Sequence, residues 1–564
     1  MRRARRQFLA VLAVTVGAKA ALAWAFPVIG DEAYLFTWAR EPAWGYYDHP
    51  PVAAWLLYPV FALGLEEHPL ALRLPSVLLH AVIALVAVGL LRASGHGRGA
   101  SAERAYLSGT LLLLVPIHVL GVLMLTDVPL VLFCFLSGAA LCRAEGGPSG
   151  TRGRVRPGRT GGRERALDRL DDDRTVRRGP VRQGRTLRDR LHAAAGGGLG
   201  WYAAAGAFLG LALASKYLAG LLAVAYAAWL ATVERTPRRR RGFALLVLCA
   251  LPPVVVHLAW NATHCWSTVL FNLYSRHAGE GENYSVARNL LVYAGTHLYL
   301  LGPPLLLALV RRRRRLAAAF RDPALRPAAL GFFVPVGLLG VAAATLLFGA
   351  YWVLPFYPFL FLLLPRVLTR RDLRSGIAWM AVFTGVQTAA LAVAVALPLR
   401  SWQGAGFYDS LVTMERTGEV LERLAPLRPE GARLAAPGYS LASLLAWESG
   451  EPVAVFGPGS HYARQDDLWT DYRALSGDDV VLLSKDPVAP EAFDPYFRRV
   501  ERRVVEVEGF GLHVAVGRTF ELPRYRREIL EEVRRRYYRT PEWLPIAGCP
   551  FCERYFGAPE CGPG

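Results

Sequence analysis

The sequence lacks the motifs of nucleotide-binding enzymes and is poor in cysteine. It has no Walker loop, no G-x-G-x-x-G fingerprint opening a helix after a strand and no G-x-S-x-G elbow, so nothing supports the use of a soluble nucleotide. Its 7 cysteines are too few and too scattered for a disulfide scaffold. Acidic residues number 45 against 65 Lys and Arg, but the arginines stand in short clusters between apolar runs. We therefore expect a membrane topology, and no nucleic-acid partner, to explain the net charge of +20.

Long apolar runs are what the sequence does contain. A bilayer-spanning helix needs about 20 apolar residues, and such runs recur between residues 8 and 399. They predict a polytopic α-helical membrane protein with about eleven transmembrane helices. The predicted spans are Phe8 to Ile29, Pro69 to Leu91, Ala105 to Met124, Val128 to Cys142, Trp201 to Ala214, Tyr217 to Thr232, Phe243 to Trp260, Asn289 to Val310, Ala328 to Phe348, Trp352 to Leu364 and Ile377 to Leu399.

Arginine clusters alternate along the chain and predict its orientation. Basic residues mark cytoplasmic connections, and the clusters at the N-terminus, Arg92 to Arg104, Arg238 to Arg241 and Arg311 to Arg315 all fall on one side of the predicted spans. The N-terminus is then cytoplasmic, and everything after Ser401 is periplasmic. We expect the protein in the inner membrane of a bacterium, in contact with membrane lipids.

Two regions outside the spans differ in composition from the rest. Residues 146–198 are rich in Arg, Gly and Asp and nearly devoid of aromatic residues, which predicts a disordered cytoplasmic insertion. Residues 401–564 alternate short β-like runs with helical and Pro/Gly stretches. They predict a small α/β extracytoplasmic domain following a membrane domain at residues 1–400. The β-like runs are Arg433 to Ala436, Val453 to Phe456, Val480 to Ser484 and Val504 to Val507, and a charged helix is predicted over Glu521 to Tyr538.

The cysteines fall into two groups. Four lie in or beside apolar runs and are interpreted as small lipid- or core-facing residues: Cys134, Cys142, Cys249 and Cys265. Cys549, Cys552 and Cys561 form a C-x-x-C plus one in the tail. No histidine stands near them, so we favour a periplasmic tail with one disulfide over a metal or redox site.

The connections on the outer side carry most of the unusual polar residues. Asp31 and Glu32 follow the first span directly, and Asp48 and His49 come before Pro50 and Pro51. The rings of Tyr34, Phe36, Trp38, Trp44, Tyr46, Tyr47 and Trp55 predict helices lying in the membrane interface. A charged residue at the membrane boundary is costly and marks a functional site, although an ordinary aromatic belt with incidental acids is the alternative.

Further outer connections add basic residues to these acids. They contribute Asp127, Lys216, Arg276 and His277. A carboxylate can take a proton from an attacking hydroxyl, and fixed cations stabilise a departing phosphate. The set is therefore typical of group transfer from a phosphate-activated donor.

Several segments together resemble one superfamily. GDEAY followed by GYYDHPPVAAWL, then TDVPLVLFCFL, GLALASKY and YWVLPFYPFLFLL, resemble the bacterial GT-C glycosyltransferases related to dolichyl-phosphate-mannose protein mannosyltransferases and to the aminoarabinose transferase that modifies lipid A. The resemblance spans about 400 residues of the membrane portion and is only loose in the C-terminal domain. It implies a GT-C fold, a polyprenyl-phosphate sugar donor and inverting transfer on the periplasmic face.

The resemblance also implies roles for individual residues. Asp31 matches the acidic residue that serves as catalytic base or acceptor-positioning group, with Glu32 as its acidic neighbour and Asp127 as a supporting acid. Lys216 matches a lysine facing the lipid phosphate, and Tyr351 a tyrosine of the donor pocket. Asp48 and His49 stand where the aminoarabinose transferase has a Glu-Lys pair. This departure puts in doubt a divalent metal ion held by Asp48 and His277, and no cofactor is otherwise expected.

The sequence thus predicts a polyprenyl-phosphate-dependent hexosyl or pentosyl transferase. The acceptor hydroxyl, activated by Asp31, attacks the anomeric carbon while the phosphate leaves against Lys216 and Arg276, with His49 also in the substrate site. The acceptor is a lipid, glycan or protein. Alternatives are a transporter or flippase of lipid-linked sugars and a structural membrane protein, but no internal repeat is evident and the charges cluster at one face.

Overall fold

Membrane helices make up most of the chain up to residue 396. The computed structural model describes residues 1–66, 68–93, 100–146, 198–274, 285–345, 348–462 and 464–557. The helices of the first part are α1 (Arg2–Ala25), α2 (Gly30–Arg40), α3 (Val52–Ala62), α4 (Pro69–Ala93), α5 (Ala100–Leu113), α6 (Pro116–Leu120) and α7 (Asp127–Gly146). The predicted disordered insertion falls on residues 147–197, which lie outside the described residues.

The second part of the membrane region follows the same plan. Its helices are α8 (Leu199–Leu213), α9 (Gly220–Thr232), α10 (Pro237–Ala262), α11 (Ser267–Leu273), α12 (Val286–Arg311), α13 (Arg313–Ala319), α14 (Arg326–Ala343), α15 (Tyr357–Val367) and α16 (Arg370–Ala396). Short 3-10 helices at Tyr217–Ala219 and Ala350–Phe356 lead into α9 and α15. Gly302 interrupts α12 with a φ of 66°, and Pro303 and Pro304 follow it, so α12 is kinked there.

The predicted spans coincide with helices of the structure. Among the described residues, 8 helices are long and apolar enough to cross a bilayer. The remaining three predicted spans correspond to the shorter helices α5, α8 and α9. The prediction of a polytopic helical membrane protein is therefore confirmed.

One predicted span is wrong in its outer part. The sequence predicts a continuous helix from Ala105 to Met124, but α5 ends at Leu113 and the short α6 begins at Pro116. Proline has no N–H to continue the helical hydrogen bonds and disfavours a helical conformation before it, and Val115 is accordingly extended. The chain after α6 is not helical up to Thr126. This non-helical stretch brings its backbone to the cavity described below.

The C-terminal part contains a small mixed sheet covered by helices. Its strands are β1 (Arg433–Ala436), β2 (Ala454–Val455), β3 (Val480–Ser484), β4 (Phe497–Val507) and β5 (Phe510–Phe520). They are ordered β2-β1-β3-β5-β4, with β1 parallel to β2 and β3, and β5 antiparallel to β3 and β4. Helices in this part are Tyr408–Glu415, Thr417–Leu424, Tyr439–Ser449, Asp466–Trp469, Pro490–Phe493, Leu522–Tyr525, Glu531–Tyr537 and Pro550–Phe556, and Arg526–Leu530 forms a π-helical turn. We call residues 401–557 the outer domain.

The hairpin of β4 and β5 is longer than the sequence predicted. Only Val504 to Val507 was expected as a strand there, and β5 was missed. Glu508 and Gly509 connect the two strands and both have positive φ, 49° and 77°. Two such residues form the tight hairpin turn that matches the twist of the flanking strands. The signal was present as an E-G dipeptide between two alternating apolar runs.

Cys265 is buried in the core, as interpreted, but the sequence did not indicate that it is bonded to another cysteine. Its sulfur forms a disulfide with Cys549, 284 residues further along the chain. The connection after α10 is thereby joined covalently to the C-terminal tail. Backbone hydrogen bonds from Cys265 to Gly548 and from Ala547 to Ala262 reinforce the same contact. Cys134 and Cys142 are free and buried, as expected.

Several aromatic residues of the first outer connection pack inside the protein, and their predicted place in the membrane interface stays a prediction. Trp38, Tyr46 and Tyr47 are buried, whereas Trp44 remains exposed. The outer domain causes this burial, because its helix Tyr439–Ser449 packs directly on α2. The ring of Tyr34 packs at a tilt against that of Tyr439, with ring centroids 5.3 Å apart. The rings therefore form a core between the membrane helices and the outer domain.

Candidate active site

A cavity of about 740 Å³ lies where the membrane helices meet the outer domain. Side chains from α1, α2, α4, α6, α7 and the 3-10 helix Ala350–Phe356 line it, and Tyr439 and Tyr462 line it from the outer domain. Most of its walls are apolar. The acidic and basic side chains that line the cavity are Lys19, Asp31, Asp48, His49, His80, His118, Asp127 and Lys216. The cavity therefore brings together residues from distant parts of the sequence.

Asp31 stands in the first turn of α2, with an exposed side chain directed to this cavity. Negative charge is favoured at a helix N-terminus because the unpaired N–H groups there carry positive partial charge. The hydroxyl of Tyr439 donates a hydrogen bond of 2.8 Å to Asp31 Oδ1. Asp31 Oδ2 has no such donor within the described chain. Asp31 thus keeps one oxygen oriented and the other open to the cavity.

Tyr439 is held in the form that donates this hydrogen bond. Burial, and then the negative charge of Asp31, raise the pKa of its phenol above the ordinary value of 10.0. The phenol therefore stays protonated at neutral pH. No sequence signal could have identified Tyr439, since it lies 408 residues from Asp31 and its role depends on how the outer domain docks.

Asp127 and Lys216 form the second polar pair of the cavity. Lys216 Nζ lies 3.0 Å from both oxygens of Asp127, and the side chain of Lys216 is only 8% exposed. Asp127 is the first residue of α7, whereas Lys216 follows the end of α8 in an extended conformation. The Lys216 ammonium also lies 4.8 Å from the ring centre of Tyr351, within the range of a cation–π interaction. The three residues thus form one group around a single cation.

A hydrogen-bond chain supports the segment that carries Lys216. Tyr217 OH lies 2.8 Å from His257 Nε2, and the other ring nitrogen of His257 lies 3.0 Å from the carbonyl oxygen of Trp44. Asn261 adds a contact of 3.1 Å to His257 Nε2. The chain links α10 to the first outer connection and to the residue that follows Lys216. It restricts where the Lys216 backbone can lie.

Asp48 and His49 line the cavity beside Trp38. Asp48 is buried, its Oδ1 has no hydrogen-bond partner in the described structure, and its Oδ2 lies 3.5 Å from His49 Nδ1. No group of three or more His, Cys, Asp or Glu side chains among the described residues is arranged to hold a metal ion. Arg276 and His277 lie outside the described residues, so the structure does not test the metal ion at Asp48 and His277 that the sequence puts in doubt.

Glu32 does not line the cavity, although it neighbours Asp31. Its carboxylate receives two hydrogen bonds from Arg73, one of 2.9 Å from Nε, and a third of 2.8 Å from the backbone N–H of Met124. Arg73 also donates to the carbonyl oxygens of Ala23, Phe26 and Pro27. Both side chains are completely buried. This arrangement supports a positioning role for Glu32, because it joins α2 and α4 to the segment leading to Asp127.

Four residues near the site were missed by sequence reasoning although a signal existed. Arg73, Lys19, His80 and His118 are polar residues inside predicted apolar spans, and such residues are expensive unless they serve a purpose. The candidate residues chosen from the sequence all lie in the connections outside the spans. In the structure all four are at or beside the cavity.

Comparison with known proteins reveals relatives in sequence and in fold. The sequence profile of dolichyl-phosphate-mannose-protein mannosyltransferases matches residues 48–148. The crystal structure of ArnT from Cupriavidus metallidurans bound to undecaprenyl phosphate superposes with a TM-score of 0.57 at 15% identity, covering 90% of this chain and 97% of that chain. Its apo structure gives a TM-score of 0.53 at 16% identity with the same coverage. No protein of curated function matches the chain in sequence.

The profile match and the superpositions agree with each other. The matched segment begins at Asp48 and includes Arg73 and Asp127, and the superpositions extend over nearly the whole chain. The resemblance predicted from the sequence is confirmed: the chain is a multi-pass membrane protein with the GT-C fold, similar to the mannosyltransferase family and to ArnT.

Proposed function

We propose that the protein is a glycosyltransferase that moves a sugar from a polyprenyl-phosphate donor to a hydroxyl group of its acceptor. The observation that carries the proposal is one cavity at the membrane boundary onto which both the Asp31 carboxylate and the Lys216 ammonium open. A base and a phosphate-binding cation are the two groups that such a transfer requires. That ArnT binds undecaprenyl phosphate supports a donor of this class.

The proposed reaction is a single displacement at the anomeric carbon. The acceptor oxygen forms a bond to this carbon as the bond between the carbon and the phosphate oxygen breaks. The acceptor proton passes to Asp31 Oδ2, and the electron pair of the broken bond leaves with polyprenyl phosphate. Because attack and departure are on opposite faces, the product has inverted configuration.

Other residues of the cavity assist these two groups. Tyr439 orients Asp31, and Asp127 holds the Lys216 side chain at the cavity until a phosphate takes its place. Tyr351 and His49 extend the donor site, and Arg276 is assigned to the phosphate from the sequence. The sugar is a hexose or pentose, and the acceptor is a glycolipid, glycan or protein.

We infer that the cavity opens to the periplasm of a bacterial cell. The arginine clusters mark the opposite ends of the helices as cytoplasmic. The disulfide between Cys265 and Cys549 supports the same orientation, because disulfides persist in oxidising compartments such as the periplasm. Transfer there excludes ATP and nucleotide sugars as direct reactants.

The proposal is tested by separating chemistry from donor binding in purified variants. Asp31→Asn keeps the size of the side chain but cannot accept the proton, so transfer should fall by about 100-fold or more. Donor binding should stay near the wild-type value. Lys216→Met should weaken both binding and turnover, because the cation contacts the phosphate before and during the reaction. A panel of polyprenyl-phosphate sugars serves as donors, and lipid analysis of cells with and without the gene identifies the acceptor.

Near-normal transfer by Asp31→Asn would remove the base from the proposed mechanism. Transfer by Asp31→Asn that persists at saturating donor, with only donor binding reduced, would instead assign Asp31 to substrate positioning. Tyr408→Phe is a suitable control, since it removes a hydrogen bond of the outer domain to Glu508 and touches no residue of the cavity.

A further inference from the structure

Three polar residues of the cavity have no part in the proposed reaction. Lys19 of α1, His80 of α4 and His118 of α6 line the cavity together. The two imidazole rings are stacked, with centroids 5.7 Å apart, and Lys19 is close enough to both to interact with them electrostatically. They come from three different helices. We call these residues the inner basic cluster.

The members of the inner basic cluster are buried and largely unpaired. Lys19 is only 2% exposed and has no hydrogen bond or ion pair within the described chain. His80 is fully buried, and neither of its ring nitrogens has a hydrogen-bond partner. His118 uses Nδ1 alone, at 2.5 Å from the carbonyl oxygen of Leu112. Buried polar groups in native proteins nearly always have hydrogen-bond or ionic partners. We therefore expect a bound ligand to supply the partner of these groups.

No carboxylate of the cavity supplies that partner. Among the described lining residues the acids are Asp31, Asp48 and Asp127, and each already has a neighbour. Asp31 accepts from Tyr439, Asp127 binds Lys216, and Asp48 lies beside His49. The walls next to the cluster are apolar, with Leu79, Val115, Ile117, Leu120 and Leu123. An anion entering this space is attracted strongly, because little water screens the cation.

We propose that the inner basic cluster is a second oxyanion subsite, separate from Lys216, that binds a phosphate monoester. A carboxylate would need only the Lys19 ammonium, whereas an ammonium with two stacked imidazoles matches the charge and the several acceptor oxygens of a phosphate dianion. Lys19 lies one to two turns before the outer end of α1 at Ala25, or about 9 Å along the helix axis. This depth is within reach of a lipid phosphate, and free phosphate offers the same chemistry.

Binding of a labelled carrier lipid tests the subsite without any transfer reaction. The probe is radiolabelled undecaprenyl phosphate, added to the full-length protein in neutral detergent. Wild-type protein should bind it in two classes of site. Lys19→Met and Lys216→Met should each lose a different class, and His80→Leu should weaken the Lys19-dependent class by about 10- to 100-fold. Competition by inorganic phosphate assigns the subsite to the free ion, and its failure assigns the subsite to lipid-borne phosphate.

A matched control and a stability readout guard against misfolding. Thr15→Val changes a buried residue one turn earlier on α1 that does not line the cavity, so it should bind like wild type. Lys19→Met should fold, because it removes an unpaired buried cation, and the probe should raise its thermal stability less than that of wild type. Unchanged binding in folded Lys19→Met, or loss of one and the same class in both lysine variants, would overturn the proposal. Since no sugar donor is present, this result is independent of the proposed transfer.

Discussion

At the level of single residues, the hydrogen bond from Tyr439 to Asp31 connects the outer domain to the chemistry. Tyr439→Phe keeps the ring against Tyr34 and removes only the hydroxyl. We expect kcat to fall by about 10- to 100-fold, since a hydrogen bond to a charged group contributes roughly 1.5–3 kcal/mol and here orients the base. Donor binding should change little. Steady-state transfer kinetics and a separate donor-binding assay check both expectations.

Comparison with Tyr408→Phe decides whether the effect is local. That variant loses a hydroxyl of the same domain that donates to the carbonyl oxygen of Glu508, at 2.7 Å. Its kcat should equal that of wild type. An equal loss of kcat in both variants would show that a general loss of stability of the outer domain, and not loss of the contact with Asp31, reduces activity.

A second residue predicts how stability depends on pH. Burial, and then the charge of Asp467, raise the pKa of the Asp466 carboxyl from 3.8 to about 7, and its Oδ2 has no hydrogen-bond partner in the described structure. The unfolded chain ionises this group near pH 4, but the folded protein retains the proton until about pH 7. The folded state therefore becomes less stable, relative to the unfolded chain, as the pH rises from about 4 to about 7. Asp466→Asn should remove the loss, raising stability at pH 8 by roughly 2–4 kcal/mol.

Thermal unfolding at pH 4.5 and pH 8 measures this effect. The gain from Asp466→Asn should appear at pH 8 and be small at pH 4.5. Asp471→Asn is the matched control of opposite sign, because the ion pair with Arg473 lowers the pKa of Asp471. It should leave stability unchanged or reduced at pH 8. A gain from Asp466→Asn that is equal at both pH values would contradict the assignment.

At the level of elements, Gly30 determines how closely α2 approaches the helix Tyr439–Ser449. A Cβ atom on Gly30 would lie 1.9 Å from Ser440 Oγ and 2.8 Å from Ser440 Cα. The side chain of Ser440 could rotate away, but its backbone could not without separating the two helices. Gly30→Ala should therefore displace Tyr439 from Asp31, reduce transfer by about 10-fold or more and cost about 1–3 kcal/mol of stability. Activity and thermal unfolding of the purified variant check this.

Gly438→Ala provides the comparison for Gly30→Ala. Gly438 precedes the same helix, yet nothing lies within 4 Å of the Cβ it would gain. This variant should retain activity and stability. Wild-type activity in Gly30→Ala would show that the approach of the two helices is not needed for catalysis.

The elements differ in how far the sequence could predict them. The membrane helices were predictable, because apolar length and arginine clusters are local signals. The end of α5 before Pro116 could also have been predicted, because the proline is itself a local signal. Three features could not be predicted, because each depends on docking of the outer domain. They are the burial of Trp38 and Tyr46, the disulfide of Cys265 and the contact of Tyr439 with Asp31. Such contacts join residues hundreds of positions apart, and no local pattern records them.

At the level of the whole molecule, the length of α10 shows which parts of the chain lie on opposite sides of the membrane. It begins at Pro237 among arginines, ends at Ala262 and spans about 39 Å along its axis. Its far end is joined to the tail, since Ala547 donates a backbone hydrogen bond to Ala262 and Cys265 is bonded to Cys549. Arg241 near the start of α10 and Trp543 near the tail contact must therefore lie on opposite sides of a bilayer.

Cysteine labelling in intact cells tests which side is which. Trp543 is 74% exposed and Arg241 is also exposed, so Trp543→Cys and Arg241→Cys should both react with a maleimide once cells are lysed. Before lysis, a reagent that reaches the periplasm but does not cross the inner membrane should label only Trp543→Cys. Both variants are made in a Cys249→Ala background, because Cys249 is free and only partly buried, whereas Cys134 and Cys142 are buried and Cys265 and Cys549 are bonded to each other. Labelling of Arg241→Cys alone would show that the cavity faces the cytoplasm. The disulfide would then lie in a reducing compartment, where disulfides rarely persist. Soluble nucleotide sugars are present there as well, so the argument for a lipid-linked donor would also fail.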